Sequence, residues 1–305
     1  MAEITSFPDF CEVSLDYREQ VAGVLGKMNR PISEMTFSNL YLFRDTHGYR
    51  LSRRGDFLFA LGRGYDSVPY AFPPWGEGNY EEAVAALLGY LRETGRPRIL
   101  FPVPKEMAER HFSGPQWKVR SDRDEADYVY LREDLASLSG PRYHKRKNRL
   151  EKFLREEGAG LEYAEFSDEY VPECVDIAKS WCDEYCPAKR PSAAQETEAA
   201  VEALRHRAEL GLTGAVIKRE GKVLAYCLGE PLNEETFVVQ FEKTAPSQAG
   251  LAQVLNRDFS RNSLSGYEYV NREQDLGDTG LRQAKESYHP VFLAEKYVVS
   301  PAGEP

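Results

Sequence analysis

The chain has 305 residues, of which 42% are hydrophobic and 29% charged, and a formal net charge of −10. That length favours two cores over one, the composition is that of a folded globular protein, and no apolar run reaches the roughly 18 residues that span a bilayer. The acidic balance excludes a protein that coats nucleic acid along its length, leaving at most a local basic patch.

The charge is unevenly divided: residues 1–150 hold 22 Lys and Arg against 21 Asp and Glu, while residues 151–305 hold 17 against 28. Met1–Phe10 carries Glu3 and Asp9 and no basic stretch, which argues against a secretory leader and for the cytoplasm. The five cysteines, Cys11, Cys174, Cys182, Cys186 and Cys227, are odd in number and scattered, so free thiols are expected. Cys174, Cys182 and Cys186 share a helical face with no histidine nearby in sequence, and no metal site is expected.

In chain order, the apolar spacing of Val21, Val24, Leu25 and Met28 predicts a helix over Leu15–Met28. Strands follow at Tyr49–Arg53 and Phe57–Leu61, joined by the turn Arg54-Gly55-Asp56. The loop Phe72–Gly78 leads to Asn79, which suits the N-cap of a helix Tyr80–Thr94 striped by Val84, Leu87, Leu88 and Leu91. A strand Arg98–Phe101, a helix Lys105–His111 and a strand Ala126–Leu131 complete the first half.

A basic helix, Pro141 to Glu157, is expected to join the halves, with Pro141 suited to its start and Gly158 to its exit. Between Arg142 and Arg155 it holds seven Lys and Arg and one acidic residue, Glu151. The second half then offers strand Leu161–Phe166, helices Pro172–Tyr185 and Ala193–Leu210, and the hairpin Gly214–Lys218 with Val223–Gly229. Strand Thr236–Lys243, helix Leu251–Asn262, strand Tyr267–Asn271, helix Gly280–Tyr288 and a last strand Val291–Val299 close it. The order repeats, and predicts an α/β (α+β) protein of two similar domains, each a mostly antiparallel sheet flanked by helices. The expected division is 1–140, the connector 141–157, and 158–305.

Three places can carry chemistry. Ser247-Gln248-Ala249-Gly250-Leu251-Ala252 runs into a helix start, where free amides and the dipole suit a pyrophosphate; a tight strand–helix turn is the other reading of Gly250. The stretch Asp275–Pro290 packs reactive groups closely, and Leu281, Ala284, Lys285 and Tyr288 share one helical face. Lys285 and Tyr288 there either face a cleft or cover the core with their stems. In the basic helix Tyr143, Lys147, Leu150 and Leu154 form a stripe; Lys147 on it reaches a ligand phosphate or extends its head to water, while Lys145 and its neighbours form a solvated face. No Walker loop, GxSxG elbow or HExxH motif occurs.

Phe37–Arg44 with His47-Gly48-Tyr49, Tyr143-His144-Lys145-Arg146-Lys147-Asn148, and Gly277–Pro290 (above all Ala284-Lys285-Glu286-Ser287-Tyr288-His289-Pro290) carry a family likeness. Over nearly its whole length the chain resembles bacterial proteins related to the C-terminal catalytic domain of phosphatidylglycerol lysyltransferase. The resemblance implies two tandem GNAT-like acyltransferase domains. It makes Ser247-x-x-Gly250-x-Ala252 similar to that superfamily's pyrophosphate loop, without the usual Arg or Gln at its first position. It gives Tyr288 the part of proton donor to the leaving group and Glu242 that of general base, with Lys285 beside the cofactor. Tyr143, Lys145, Lys147, Asn148, Asn271, Asp275, Arg282 and His289 are then candidates for substrate or phosphate contact.

The expected activity is transfer of an acyl group from a phosphate-bearing donor, acyl-CoA in the first place, to a small-molecule amine. Aminoacyl-tRNA as the donor is the alternative, favoured by the basic helix, and a ligand-binding protein without turnover is a third reading. The related lysyltransferases carry membrane-spanning segments, and this sequence contains none.

Overall fold

The turn at Gly55, whose φ of +58° suits a residue without a side chain, closes the hairpin expected in the first half. Its strands are β2 (Arg50–Arg54) and β3 (Phe57–Arg63), paired antiparallel with Arg54 opposite Phe57. The computed structural model describes residues 3–185, 191–246 and 250–303. The chain divides into two units, Met1–Asp127 with Ala294–Pro305, and Tyr128–Leu293.

The first unit's sheet runs β1-β2-β3-β4-β5-β14-β6, adding β1 (Cys11–Glu12), β4 (Pro69–Ala71), β5 (Leu100–Pro104), β6 (Trp117–Ser121) and β14 (Lys296–Pro301). The helix Tyr80–Glu93 buries Val84, Leu87, Leu88 and Leu91 in one cluster with Phe59, Leu61 and Leu100. Its N-cap is Asn79, as expected, with a side chain that accepts from the Glu82 amide. The helix Phe37–Leu42 escaped the sequence reading because every residue in it is buried, so it shows no amphipathic period.

The second sheet runs β13-β7-β12-β11-β10-β9-β8. Its strands are β7 (Asp127–Leu131), β8 (Leu161–Glu165), β9 (Thr213–Arg219), β10 (Lys222–Pro231), β11 (Thr236–Thr244), β12 (Tyr269–Asn271) and β13 (Phe292–Ala294). β11 and β12 run parallel, whereas β8–β9, β9–β10, β10–β11 and β7–β12 are antiparallel. Two mixed, mostly antiparallel sheets flanked by helices form the α/β architecture of two units expected.

Three details differ from the sequence reading. The first unit ends at Asp127 instead of residue 140, and the helix His144–Glu157 is an internal element of the second unit, not a connector. The run Val291–Val299 is two strands, Phe292–Ala294 at the edge of the second sheet and Lys296–Pro301 between β5 and β6 of the first. Buried Lys296 fixes that return, its Nζ lying 2.6 Å from Glu34 Oε1 and 2.7 Å from Asp127 Oδ1. The predicted helix Ala193–Leu210 is broken at His206 into Pro191–Arg205 and Arg207–Leu210.

Cys11, Cys174 and Cys227 are free thiols, but Cys182 is disulfide-bonded, against expectation. An odd count and a wide scatter say nothing about which thiols meet in space.

Candidate active site

The parallel pair β11–β12 separates early. Its ladder ends at Val238 opposite Asn271, while β11 runs on to Thr244 and the chain after Asn271 leaves the sheet. Crevices beyond the carboxyl ends of diverging parallel strands are where α/β sheets take ligands. Glu242 projects from the continuing strand, and Arg272 begins the departing loop. The two form an ion pair of 2.9 Å between Arg272 Nη2 and Glu242 Oε2, with side chains 14% and 17% exposed.

Tyr288 closes the group. Its ring is buried in the core cluster that holds Tyr130, Tyr143, Phe153, Cys227 and Leu251. The guanidinium carbon of Arg146 lies 3.4 Å from its ring centroid and that of Arg272 lies 5.0 Å away. Burial pushes the Tyr288 phenol up, against the pull of Arg272 and Arg146, so it stays protonated at neutral pH. The two residues expected to catalyse are thus brought together through a third, Arg272, which the sequence reading missed.

Arg146 was missed too. At i+3 from Tyr143 and i−4 from Leu150 it belongs to the buried stripe, a signal the spacing did contain. Its Nε donates to the Ser287 carbonyl (2.8 Å), and its Nη2 donates to the Ala284 carbonyl (2.9 Å) and the Ser287 hydroxyl. Lys147, expected on that stripe, is instead half exposed and 3.9 Å from Glu151. The buried apolar positions rotate the helix so that Arg146 turns inward and its neighbour outward. Lys145 and Asn148 are exposed as well, and none of the three reaches the Tyr288 group.

Other candidates hold the loop that follows β12. Lys285 Nζ donates to the carbonyls of Arg272 (2.5 Å), Glu273 (3.0 Å) and Gln274 (2.6 Å), so its protons serve the backbone instead of a cofactor. Asp275 accepts a two-point bond from Arg282 at 2.9 and 2.8 Å, and further bonds from the Tyr128 hydroxyl at 2.6 Å and the Gly277 amide at 2.8 Å. Burial would raise its pKa, but the bonds from Arg282, Tyr128 and Gly277 outweigh that and hold the carboxyl well below the usual carboxylate range. Asn271 Oδ1 accepts from the Glu273 amide at 2.7 Å. Tyr143, pushed up to about 12 mainly by burial, donates to the Tyr288 carbonyl at 3.1 Å. His289 packs edge-on against Tyr143, with Nε2 3.0 Å from the Arg142 carbonyl. These contacts hold the turn around Tyr288.

Gly250 caps the helix Leu251–Asn262 with φ +112° and no side-chain cap bond. A Cβ there would meet the Phe153 ring at 2.6 Å, so packing against Phe153 explains the glycine without a phosphate. Leu251 is buried and Ala252 half-buried. The expected loop residues Ser247, Gln248 and Ala249 lie outside the described residues.

The family model of the phosphatidylglycerol lysyltransferase C-terminal region matches residues 26–300. The chain belongs to that family. A conserved protein of unknown function from Bacteroides thetaiotaomicron VPI-5482 is 29% identical, with 96% of this chain and 99% of that one covered and a TM-score of 0.88. L-PGS from Bacillus licheniformis is 16% identical, with 100% and 95% covered and a TM-score of 0.65. The DUF2156 domain of an Agrobacterium fabrum protein assigned as a lysylphosphatidylglycerol synthetase is 14% identical, with 95% and 93% covered and the same TM-score of 0.65. These last two share the fold. No functionally curated protein matches the sequence. Family and fold place the chain among acyl or aminoacyl transferases. Among the described residues no helix is long and apolar enough to cross a membrane, and no group of three or more His, Cys, Asp or Glu could hold a metal ion.

Proposed function

We propose that the second unit transfers an aminoacyl group from an ester donor, such as aminoacyl-tRNA, to an amine or hydroxyl acceptor. The observation that carries this reading is the buried phenol of Tyr288, which burial pushes up, beside Arg272 and its partner Glu242. A phenol whose pKa is raised is a poor acid towards a departing thiolate, whose conjugate acid ionises near pH 8.5. It is well matched to an alkoxide, which is far more basic and cannot leave without a proton. The packing of Gly250 against Phe153 further weakens the case for a coenzyme A pyrophosphate at that turn.

In this mechanism the acceptor's N–H or O–H gives its proton to Glu242 Oε1, the oxygen outside the Arg272 bond. The new C–N or C–O bond forms at the ester carbonyl, the old C–O bond breaks, and the leaving oxygen takes the Tyr288 proton. Solvent then restores both groups. Arg272 holds Glu242 in place and favours the negative charge that develops on the carbonyl oxygen.

The test is consumption of labelled aminoacyl-tRNA in the presence of small amines or phosphatidylglycerol vesicles, run beside acetyl-CoA. Ester consumption that depends on Tyr288 is expected. Turnover of acetyl-CoA alone would transfer the reading to a thioester donor, and turnover of neither would remove it.

A further inference from the structure

In the first unit Tyr49 and Tyr70 close over a glycine. Gly62 on β3 lies opposite Tyr70 on β4. A Cβ at Gly62 would lie 2.8 Å from the Tyr49 ring and 3.1 Å from that of Tyr70, so the bare backbone is what lets the two rings converge. Their hydroxyls are 3.4 Å apart, beyond the roughly 2.5–3.0 Å of a good hydroxyl bond. Among the described residues neither has another hydrogen-bond partner, although the residues are only 3% and 8% exposed. Buried hydroxyls left in that state call for a group that completes them.

Carboxyls stand beside the pair. Burial pushes both phenols up, the charge of Glu34 adds to the rise at each, and that of Glu125 adds to it at Tyr70. Buried Glu34 gives its Oε1 to Lys296 at 2.6 Å. Its Oε2 meets only the Ser33 hydroxyl at 3.4 Å, whose proton goes to the nearer Asp127 Oδ1 at 3.1 Å. Half-buried Glu125 makes no hydrogen bond or ion pair among the described residues. Lys296, whose charge acts on both glutamates, is already shared between Glu34 and Asp127.

We propose that Tyr49, Tyr70, Glu34 and Glu125 bind the primary ammonium group of a small aliphatic amine. Its three N–H donors match the two phenol oxygens and the open carboxylate oxygen. Its charge offsets the carboxylate that Lys296 leaves unbalanced. A metal ion fits less well, since among the described residues no group of three or more His, Cys, Asp or Glu could hold one. Towards solvent the cluster continues in rings that favour a cation: Tyr65, 45% exposed, lies 4.8 Å from His47, which lies 5.2 Å from Tyr49.

Calorimetric titration of the full chain with ethylammonium chloride tests the site. Tetramethylammonium, which has the charge without N–H donors, and potassium are the controls. Ethylammonium binds at millimolar concentration or better, and about tenfold more tightly than either control. Tyr70→Phe keeps the ring, loses one acceptor and weakens binding about fivefold. Glu125→Gln removes a charge from the short turn Arg123–Glu125 and weakens it on the order of tenfold. This second variant decides the matter if Tyr70→Phe does not fold. No heat with ethylammonium, equal binding of either control, or an unchanged affinity in either folded variant overturns the site. Amine binding without aminoacyl transfer leaves the site standing and removes the proposed reaction; transfer without amine binding removes the site alone.

Discussion

Arg146 sits over the Tyr288 ring, its Cζ 3.4 Å from the centroid, and its Nε reaches past the ring to the Ser287 carbonyl at 2.8 Å. One side chain of the basic helix therefore holds both the Tyr288 ring and the turn that presents it. The cation–π contact and the charge-assisted bond fix the phenol's position, which lets its proton be tested apart from its ring.

Tyr288→Phe keeps the ring and its stacking on Arg146 but removes the proton. The rate of aminoacyl ester consumption should fall by about 100-fold to 10,000-fold. The thermal midpoint should stay close to that of the wild type. An unchanged rate would exclude the phenol as the acid.

Lys285→Met separates a structural lysine from a ligand-binding one. Three carbonyls lose their donor, and urea unfolding should show a loss of about 2–4 kcal/mol. The KM for the aminoacyl donor should change less than kcat, because Nζ serves the backbone of Arg272, Glu273 and Gln274 and not the donor.

Gly250→Ala tests what the glycine is for. Its added methyl meets Phe153 at 2.6 Å, and the φ of +112° disfavours any side chain. Together these should cost about 2–4 kcal/mol. Adding Phe153→Ala should make the double variant less unstable than the two single losses predict, by relieving the clash while the backbone strain stays. Strict additivity would show that the ring is not the obstacle.

In the first unit, burial outweighs the attraction of Lys296 and raises the Glu125 carboxyl to about 7, with Glu34, Asp122 and Asp127 adding to the rise. Below pH 4.5 the group is protonated folded or unfolded and its contribution is neutral. Between pH 4.5 and 7 the unfolded chain releases a proton that the folded one keeps, so stability falls as pH rises, by up to about 3 kcal/mol. Denaturation midpoints measured from pH 4 to 8 should show that decline, and Glu125→Gln should flatten it.

Local chemistry made much of the fold legible in the sequence. The spacing of Val84, Leu87, Leu88 and Leu91 announces the helix they bury, Asn79 caps it, and Gly55 turns the first hairpin. The likeness around Tyr288 and Glu242 pointed to two residues that Arg272 does bring together.

Tertiary structure alone decided which charges those residues meet. Lys147 and Arg146 are adjacent in a basic run, yet only the buried face around Tyr143, Leu150 and Phe153 turns Arg146 towards Tyr288. The Lys285 ammonium and the Arg272 guanidinium are equally positive, but one is enclosed by carbonyls and the other pairs with the Glu242 carboxylate. Lys296, in what reads as the continuation of a strand, returns the chain to the first unit because Glu34 and Asp127 wait there. Periodicity tells a side chain which way to face, since it depends on neighbours three or four residues off. A charge takes its role from partners that lie from 11 to 262 residues away along the chain and ångströms away in space.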